Sequence, residues 1–161
     1  LFMNKRIVII SILILIVDQI TKLLMQMSSG TIHLINNFLY FAFYKNTGAS
    51  WSILEGKVTF LIIVSIIMLV LVYSLMFSYA SNKFNDTAFG LLFGGILGNL
   101  CDRIFYGYVR DFIGLNIFGY SFPIFNIADM SIVIGVILIV VATFKGDVKN
   151  GINRRRGKLK N

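Results

Sequence analysis

The chain has 161 residues, of which 57% are hydrophobic, and it contains a single proline. A composition this apolar excludes an ordinary water-soluble globule and predicts a membrane protein. A membrane-spanning helix needs about 20 mostly apolar residues. A chain of 161 residues can hold several such spans but leaves little for a separate soluble part. We therefore expect one integral membrane domain over residues 1–161.

The net charge of +8 comes from basic residues that gather mainly at the two ends of the chain. Beside membrane spans, basic ends favour contact with anionic lipids over a nucleic-acid site, so we expect membrane lipids and no nucleic acid as partners. The chain has one cysteine, Cys101, and one histidine, His33, which are too few for a Cys/His metal site. A site of carboxylates alone is the remaining option, but we expect neither a metal nor a cofactor.

The first apolar segment predicts a spanning helix over about residues 6–27, with Asp18 and Lys22 inside it at helical i,i+4 spacing. The next part, residues 28–56, changes character. It contains the breakers Gly30 and Gly48 around an aromatic run, which predicts short strands and turns. We interpret this part as a small β-rich cap outside the membrane.

Three further spans are predicted along the chain. The second, about 58–79, carries no charge between its ends and is expected to face lipid, and the third, about 87–105, is rich in glycine. The glycines of the third span, whose helical spacing permits close helix contact, are Gly90, Gly94, Gly95 and Gly98. A loop with strand-like pieces leads to the fourth span, about 124–144, and a basic tail follows over 145–161.

The predicted fold is therefore an all-α membrane protein of four transmembrane helices, with an extracytoplasmic β-rich cap and a loop between helices three and four. Basic residues favour the cytoplasmic side of a membrane. In a four-span arrangement the N-terminal basic residues, Lys83 and the tail lie on one side. Both termini are expected to be cytoplasmic, and the polar ends of helices one, three and four are expected to meet near the outer face.

Four aspartates lie in or beside apolar segments, where an ionisable group is costly and is a candidate functional residue. They are Asp18, Asp102, Asp111 and Asp129. Lys22 follows Asp18 by one helical turn, so this aspartate has two interpretations. It belongs either to a neutral pair that joins helices or to a catalytic site.

The other three aspartates differ in their sequence neighbours. Asp102 directly precedes Arg103, which is a ready structural or substrate-orienting partner. Asp111 follows Arg110, but neighbours in an extended segment point to opposite faces, which leaves this carboxylate free to point elsewhere. Asp129, near the start of the fourth span, has no basic residue nearby in sequence.

Two carboxylates brought together at an apolar boundary cannot both ionise easily, so one keeps its proton while the other acts as a base. Such a pair can activate water against an amide carbonyl and protonate the carbonyl oxygen, which is peptidase chemistry. A serine triad would depend on His33 alone, and no Gly-x-Ser-x-Gly or His-Glu-x-x-His motif is present. Residue chemistry alone leaves open a transporter or ion pathway that uses the same carboxylates, and a purely structural bundle.

Five polar motifs, in order, resemble those of the bacterial lipoprotein signal peptidases, the type II signal peptidase family of membrane aspartyl peptidases. The resemblance covers nearly the whole chain. The motifs are Asp18-Gln19-x-x-Lys22, Asn46-x-Gly48-x-x-Trp51, Gly95-x-x-Gly98-Asn99-x-x-Asp102-Arg103, Val109-Arg110-Asp111-Phe112 and Phe125-Asn126-x-Ala128-Asp129.

The resemblance implies that Asp111 and Asp129 are the catalytic pair, supported by Asp18 and Lys22. The residues that it implies line the site are Asn46, Gly48, Asn99, Asp102, Arg103 and Asn126. It also implies the substrate, a prolipoprotein that carries diacylglycerol on the cysteine after the scissile bond. The enzyme would release the signal peptide near the outer face of the bacterial cytoplasmic membrane, and we expect a monomer.

Arg110 is the main departure from the family pattern, because an apolar residue is usual at this position. If Arg110 folded back onto Asp111, it would lower the pKa of that carboxyl group.

Overall fold

The computed structural model describes residues 3–48 and 54–148, which form four long helices and one small sheet. The helices are α1 (Lys5–Met27), α2 (Val58–Met76), α3 (Lys83–Tyr106) and α4 (Ile127–Phe144). Each is long and apolar enough to cross a membrane. The number of spans predicted from the sequence is confirmed. Trp51 and most of the predicted basic tail lie outside the described residues.

Helices α3 and α4 begin at other residues than predicted because of side-chain caps that hydropathy does not reveal. The side chain of Asn82 accepts a hydrogen bond from the backbone of Asn85, so α3 begins at Lys83, four residues before the predicted start. Asn126 caps α4, which therefore begins three residues after the predicted start. The second span was also predicted too long, because α2 ends at Met76.

The glycine-rich helix α3 is the centre of the bundle and contacts the other three helices. A Cβ atom at Gly94 would lie 2.7 Å from Cβ of Ile14 on α1, and one at Gly95 would lie 2.5 Å from the carbonyl oxygen of Ala128 on α4. Only glycine permits approaches this close. The packing between α3 and its neighbours thus brings three polar helix ends to one end of the bundle.

The sheet covers that same end. Its strands are β1 (Ile32–Ile35), β2 (Leu39–Asn46), β3 (Val109–Ile117) and β4 (Tyr120–Ser121). They are antiparallel and lie in this order. The predicted cap thus supplies two strands, and the predicted loop after the third helix supplies the other two.

Pairing in the sheet sets the position of Asp111. This residue lies in β3 and is paired with Tyr44 of β2. The backbone N–H groups of Phe112 and Ile113 both donate to the carbonyl oxygen of Phe125, directly before the α4 cap. These bonds hold the middle of β3 against the start of α4.

Candidate active site

The predicted site residues come together where the ends of α1, α3 and α4 meet β2 and β3. Asp111 is 1% exposed at the buried side of this junction. Asp129 is half-buried in the first turn of α4. The two carboxylates are 18 positions apart in sequence, and the contact between β3 and the start of α4 brings them to one site.

Two asparagine side chains link the carboxylates. Asn126 donates through Nδ2 to Asp111 Oδ1 at 2.6 Å and to Asn99 Oδ1 at 3.1 Å. Asn99 in turn donates through Nδ2 to Asp129 Oδ1 at 2.7 Å. Each carboxylate is therefore held by an amide that also contacts the other amide, which fixes their relative positions.

The start of α4 adds a second constraint on Asp129. The side chain of Asn126 accepts from the backbone N–H of Asp129 at 2.9 Å, and the backbone N–H of Asn126 donates to Asp129 Oδ2 at 3.2 Å. This reciprocal pair is a capping box. Asn126 thus has two roles, because it caps a helix and donates to Asp111.

Asn46 and Gly48 approach the site from the end of β2. Asn46 donates through Nδ2 to Asp111 Oδ2 at 2.8 Å, and its Oδ1 accepts from the backbone N–H of Gly48 at 2.9 Å. Both oxygens of Asp111 therefore accept an amide hydrogen bond. The carbonyl oxygen of Gly48 accepts from Arg103 at 3.2 Å, which joins the cap to α3.

Lys22 is fully buried behind the pair of carboxylates. Its ammonium lies 2.8 Å from Asp18 Oδ2 and 3.3 Å from Asp102 Oδ2, and it donates to Asn99 Oδ1 at 2.9 Å. An ammonium has three donors, and here each has an acceptor. Asp18 also accepts from the backbone N–H of Ala128, so this pair joins α1, α3 and α4 while supporting the site.

The predicted pairing of Asp102 with its neighbour Arg103 is wrong. Asp102 Oδ1 lies 2.7 Å from Arg110 Nη2, and the ion pairs of the described residues include none between Asp102 and Arg103. Adjacent residues on a helix point about 100° apart, so their side chains diverge. Arg103 instead contacts Gly48.

Arg110 does not fold back onto Asp111. Its guanidinium points to Asp102 and to Gln19, whereas Asp111 points to Asn46 and Asn126. The predicted divergence of these two neighbours along the strand is thus observed. The conditional expectation that Arg110 lowers the pKa of Asp111 by direct contact is not met.

Asp111 has an unusual acidity for a carboxyl group. Burial and the negative charge of Asp129 raise its pKa to about 7, although the amides of Asn46 and Asn126 and the charge of Lys22 act in the opposite direction. An aspartate outside such an environment has a pKa near 3.8. The site therefore holds a carboxyl group that can carry a proton near neutral pH beside a second carboxylate.

Sequence reasoning did not assign a role to two glutamines of α1. Gln19 donates to Asp102 Oδ1 at 3.1 Å and accepts from Arg110 at 2.6 Å, while Gln26 accepts from Arg110 at 3.3 Å. Gln19 stands beside Asp18 in the first motif, which was a usable signal. Gln26 had none, because its contact depends on the distant strand β3.

Two linked carboxylates at the end of an apolar helix bundle, one with a pKa near neutrality, define the class of aspartic-type membrane peptidases. Residues 10–145 match the family model described as signal peptidase (SPase) II. The chain belongs to this family.

Individual relatives agree with this assignment. The chain is 46% identical over 142 residues to lipoprotein signal peptidases of Staphylococcus aureus strains JH9 and Newman, a match covering 86% of this chain and 87% of each relative. Two solved structures of a bacterial membrane enzyme are 44% identical and have TM-scores of 0.79 and 0.77. They match over 86% of this chain and over 87% and 92% of their own chains.

Proposed function

We propose that Asp111 and Asp129 are the catalytic pair with which this chain cuts diacylglyceryl-modified prolipoproteins before the lipidated cysteine. The chain is an aspartic-type peptidase that removes signal peptides from bacterial prolipoproteins. The observation that carries the catalytic assignment is the linkage of the two carboxylates through Asn99 and Asn126.

The proton shared by the pair is assigned to Asp111. The charge of Asp129 is one of the causes that raise the pKa of Asp111 to about 7, so ionisation of Asp129 favours the protonated form of its neighbour. Asp129 also lies in the first turn of α4 within a capping box. Backbone N–H groups at a helix N-terminus favour a negative charge.

In the proposed reaction, ionised Asp129 removes a proton from the attacking water while protonated Asp111 donates to the carbonyl oxygen of the scissile amide. A tetrahedral intermediate forms and then collapses, and the leaving amine takes the proton that Asp129 had removed from water. Asp111 regains its proton from the intermediate's hydroxyl as the new carboxyl group forms. Both groups thus return to their starting forms.

The half-buried position of Asp129 supports access for a substrate that stays in the bilayer. Two acyl chains anchor a protein firmly in a membrane, so the scissile bond would reach the site by lateral diffusion. One chain supplies both carboxylates and the amides that hold them, which supports a monomer as the active form.

Asp111→Asn and Asp129→Asn test the assignment. Each should reduce cleavage of a diacylglyceryl-modified prolipoprotein by a factor of at least about 1000, because neither carboxyl group can replace the other. Purified variants in one detergent would be assayed for cleavage and for thermal unfolding.

Asp86→Asn is the matched control. Asp86 is also a buried aspartate, 3% exposed, but it lies at the opposite end of α3 and contacts Asn4 and Ser81. This variant should cleave at the wild-type rate. Substantial activity in either Asp111→Asn or Asp129→Asn would contradict the assignment.

A further inference from the structure

Arg110 is a buried cation beside the proposed catalytic pair, and the reaction described above gives it no role. It is 1% exposed. Its side chain donates to Asp102 through Nη2 at 2.7 Å and through Nε at 3.3 Å, and its backbone N–H donates to the same carboxylate at 2.9 Å. Its guanidinium carbon also lies 4.2 Å from the centre of the Tyr106 ring. With its hydrogen bonds to Gln19 and Gln26, these contacts hold the Arg110 side chain in one orientation.

The charges of the site balance only when Arg110 is counted. The buried and half-buried ionisable groups that the described residues place here are the carboxylates Asp18, Asp102, Asp111 and Asp129 and the cations Lys22, Arg103 and Arg110. With one proton shared by the catalytic pair, four carboxylates carry three negative charges, and three cations carry three positive ones. Without Arg110, the same protonation state would have an excess negative charge in an apolar setting.

The ammonium of Lys22 lies between the acceptor groups of Asp18, Asp102 and Asn99. Lys22 is closer to Asp18 and Asn99, at 2.8 and 2.9 Å, than to Asp102, at 3.3 Å. Asp102 accepts three hydrogen bonds from Arg110, so Arg110 neutralises it in addition to the more distant Lys22. The ammonium can then remain on Asn99.

This arrangement continues to the catalytic pair, because Asn99 donates to Asp129 at 2.7 Å. An Asp102 that lost Arg110 would attract Lys22 more strongly and draw it from Asn99. The amide of Asn99 would lose its main fixed partner, and the pair of carboxylates would lose nearby positive charge.

We propose that Arg110 is a positioning residue for the catalytic pair, because by neutralising Asp102 it keeps Lys22 on Asn99 and keeps one carboxylate of the pair ionised. The inference rests on the proposed function. It assigns a role to a residue whose side chain hydrogen-bonds to Asp102, Gln19 and Gln26 and not to the catalytic pair.

The pH dependence of cleavage is the direct test, with Arg110→Gln and Arg110→Lys as matched variants. Loss of a positive charge favours protonation of the pair, so the acidic limb of the Arg110→Gln profile should move to higher pH by about 0.5 to 1 unit. Lysine keeps the charge but not the planar fork of donors. Arg110→Lys should keep the wild-type limb while losing thermal stability.

Charged and hydrogen-bonding groups from each neighbouring element face the titrating pair and are unchanged in these variants. They are Asp18 and Lys22 of α1, Asn46 of β2, Asn99 and Arg103 of α3, and Asn126 at the start of α4. A shift of the limb in Arg110→Gln alone therefore reports the lost charge together with the movement of Lys22 that this loss causes. A wild-type limb in Arg110→Gln, or an equal shift in Arg110→Lys, would overturn the proposal.

A second comparison applies if Arg110→Gln does not fold. Removal of Arg110 from its ion pair leaves the charge of Asp102 buried, which can prevent folding. Asp102→Asn alone has an excess positive charge, so its acidic limb should move to lower pH. The double variant with Arg110→Gln also loses one positive charge. Its acidic limb should therefore return toward the wild-type pH, even if its maximal rate of cleavage is lower. A double variant that keeps the limb of Asp102→Asn would contradict charge balance.

Thermal unfolding measured against pH separates failure of this inference from failure of the proposed function. A wild type that cleaves no lipidated prolipoprotein would overturn the proposed function. The pKa of Asp111 is raised from its ordinary value of 3.8 to about 7 in the folded protein. Its protonation therefore stabilises the fold fully at pH values below 3.8, and this stabilisation is lost as the pH rises to about 7. In Arg110→Gln that loss should occur at higher pH, and an unchanged curve would overturn the role of Arg110.

Discussion

Asn46 offers the simplest test of how single residues tune the site. Its amide donates to Asp111 at 2.8 Å and is one of the causes that lower the pKa of this carboxyl group. A donor to a carboxylate stabilises the ionised form. Asn46→Ala should therefore raise the pKa of Asp111, which donates a proton in the proposed reaction, and move the alkaline limb of the cleavage profile to higher pH by about 0.5 to 1 unit.

Asn82→Ala is the control for this prediction. Asn82 caps α3 at the far end of the bundle and donates to Asp147 at 3.2 Å. Loss of the cap should cost about 1 kcal/mol of stability and leave the pH profile at that of the wild type. If both variants shift the limb, lower stability explains the shift, and the hydrogen bond from Asn46 does not.

At the residue scale, the sequence supported Asp111 and Asp129 as candidates but not the groups that position them. Intramembrane carboxylates are costly, so each aspartate could be found in one pass along the chain. The pairing of Asp102 with Arg110 could not be found in that way. It depends on how β3 returns over the end of α3, and the nearest cation in sequence, Arg103, was the wrong choice.

The glycines of α3 define the close contacts between helices. A Cβ at Gly95 would lie 2.5 Å from the backbone carbonyl oxygen of Ala128, which cannot move aside without moving α4. Gly95→Ala should cost about 1 to 3 kcal/mol of stability. It should also lower cleavage by the folded enzyme, because displacement of α4 moves Asp129 away from Asn99.

Gly90→Ala is the matched variant at the other end of the same helix. Its Cβ would lie 2.7 Å from Cβ of Ile10, so a similar loss of stability is expected. Its effect on cleavage should be small, because Gly90 is about one and a half helical turns farther from Asn99 than Gly95 is. Thermal unfolding and cleavage assays distinguish the two. Equal losses of activity at equal stability would contradict a local effect of Gly95 on the site.

At the element scale, hydropathy predicted all four helices, but it did not predict their starts. Helices α3 and α4 begin directly after the capping side chains of Asn82 and Asn126. Hydropathy assigns an apolar residue before a cap, such as Phe125, to the span. The presence of short strands was predicted, but their bounds and pairing were not. The order of the sheet depends on contacts between β2 and β3, which are far apart in sequence.

For the whole molecule, the orientation in the membrane is a prediction with a direct test. The site and the sheet lie at one end of the bundle. The opposite end has Lys5, Arg6, Lys83 and Lys145, and the basic tail follows it in sequence. Basic residues favour the cytoplasmic side. We therefore expect both termini in the cytoplasm and the catalytic pair near the outer face.

Single cysteines in a Cys101→Ala background would test this orientation in intact cells. Ile35→Cys places an exposed thiol in β1, and Ser78→Cys places one just beyond the far end of α2. A maleimide that does not cross membranes should label Ile35→Cys directly and Ser78→Cys only after permeabilisation. Cleavage activity in both variants would show that each is folded. The reverse labelling pattern would put the carboxylate pair on the cytoplasmic side, where a substrate with an exported lipidated cysteine could not reach it.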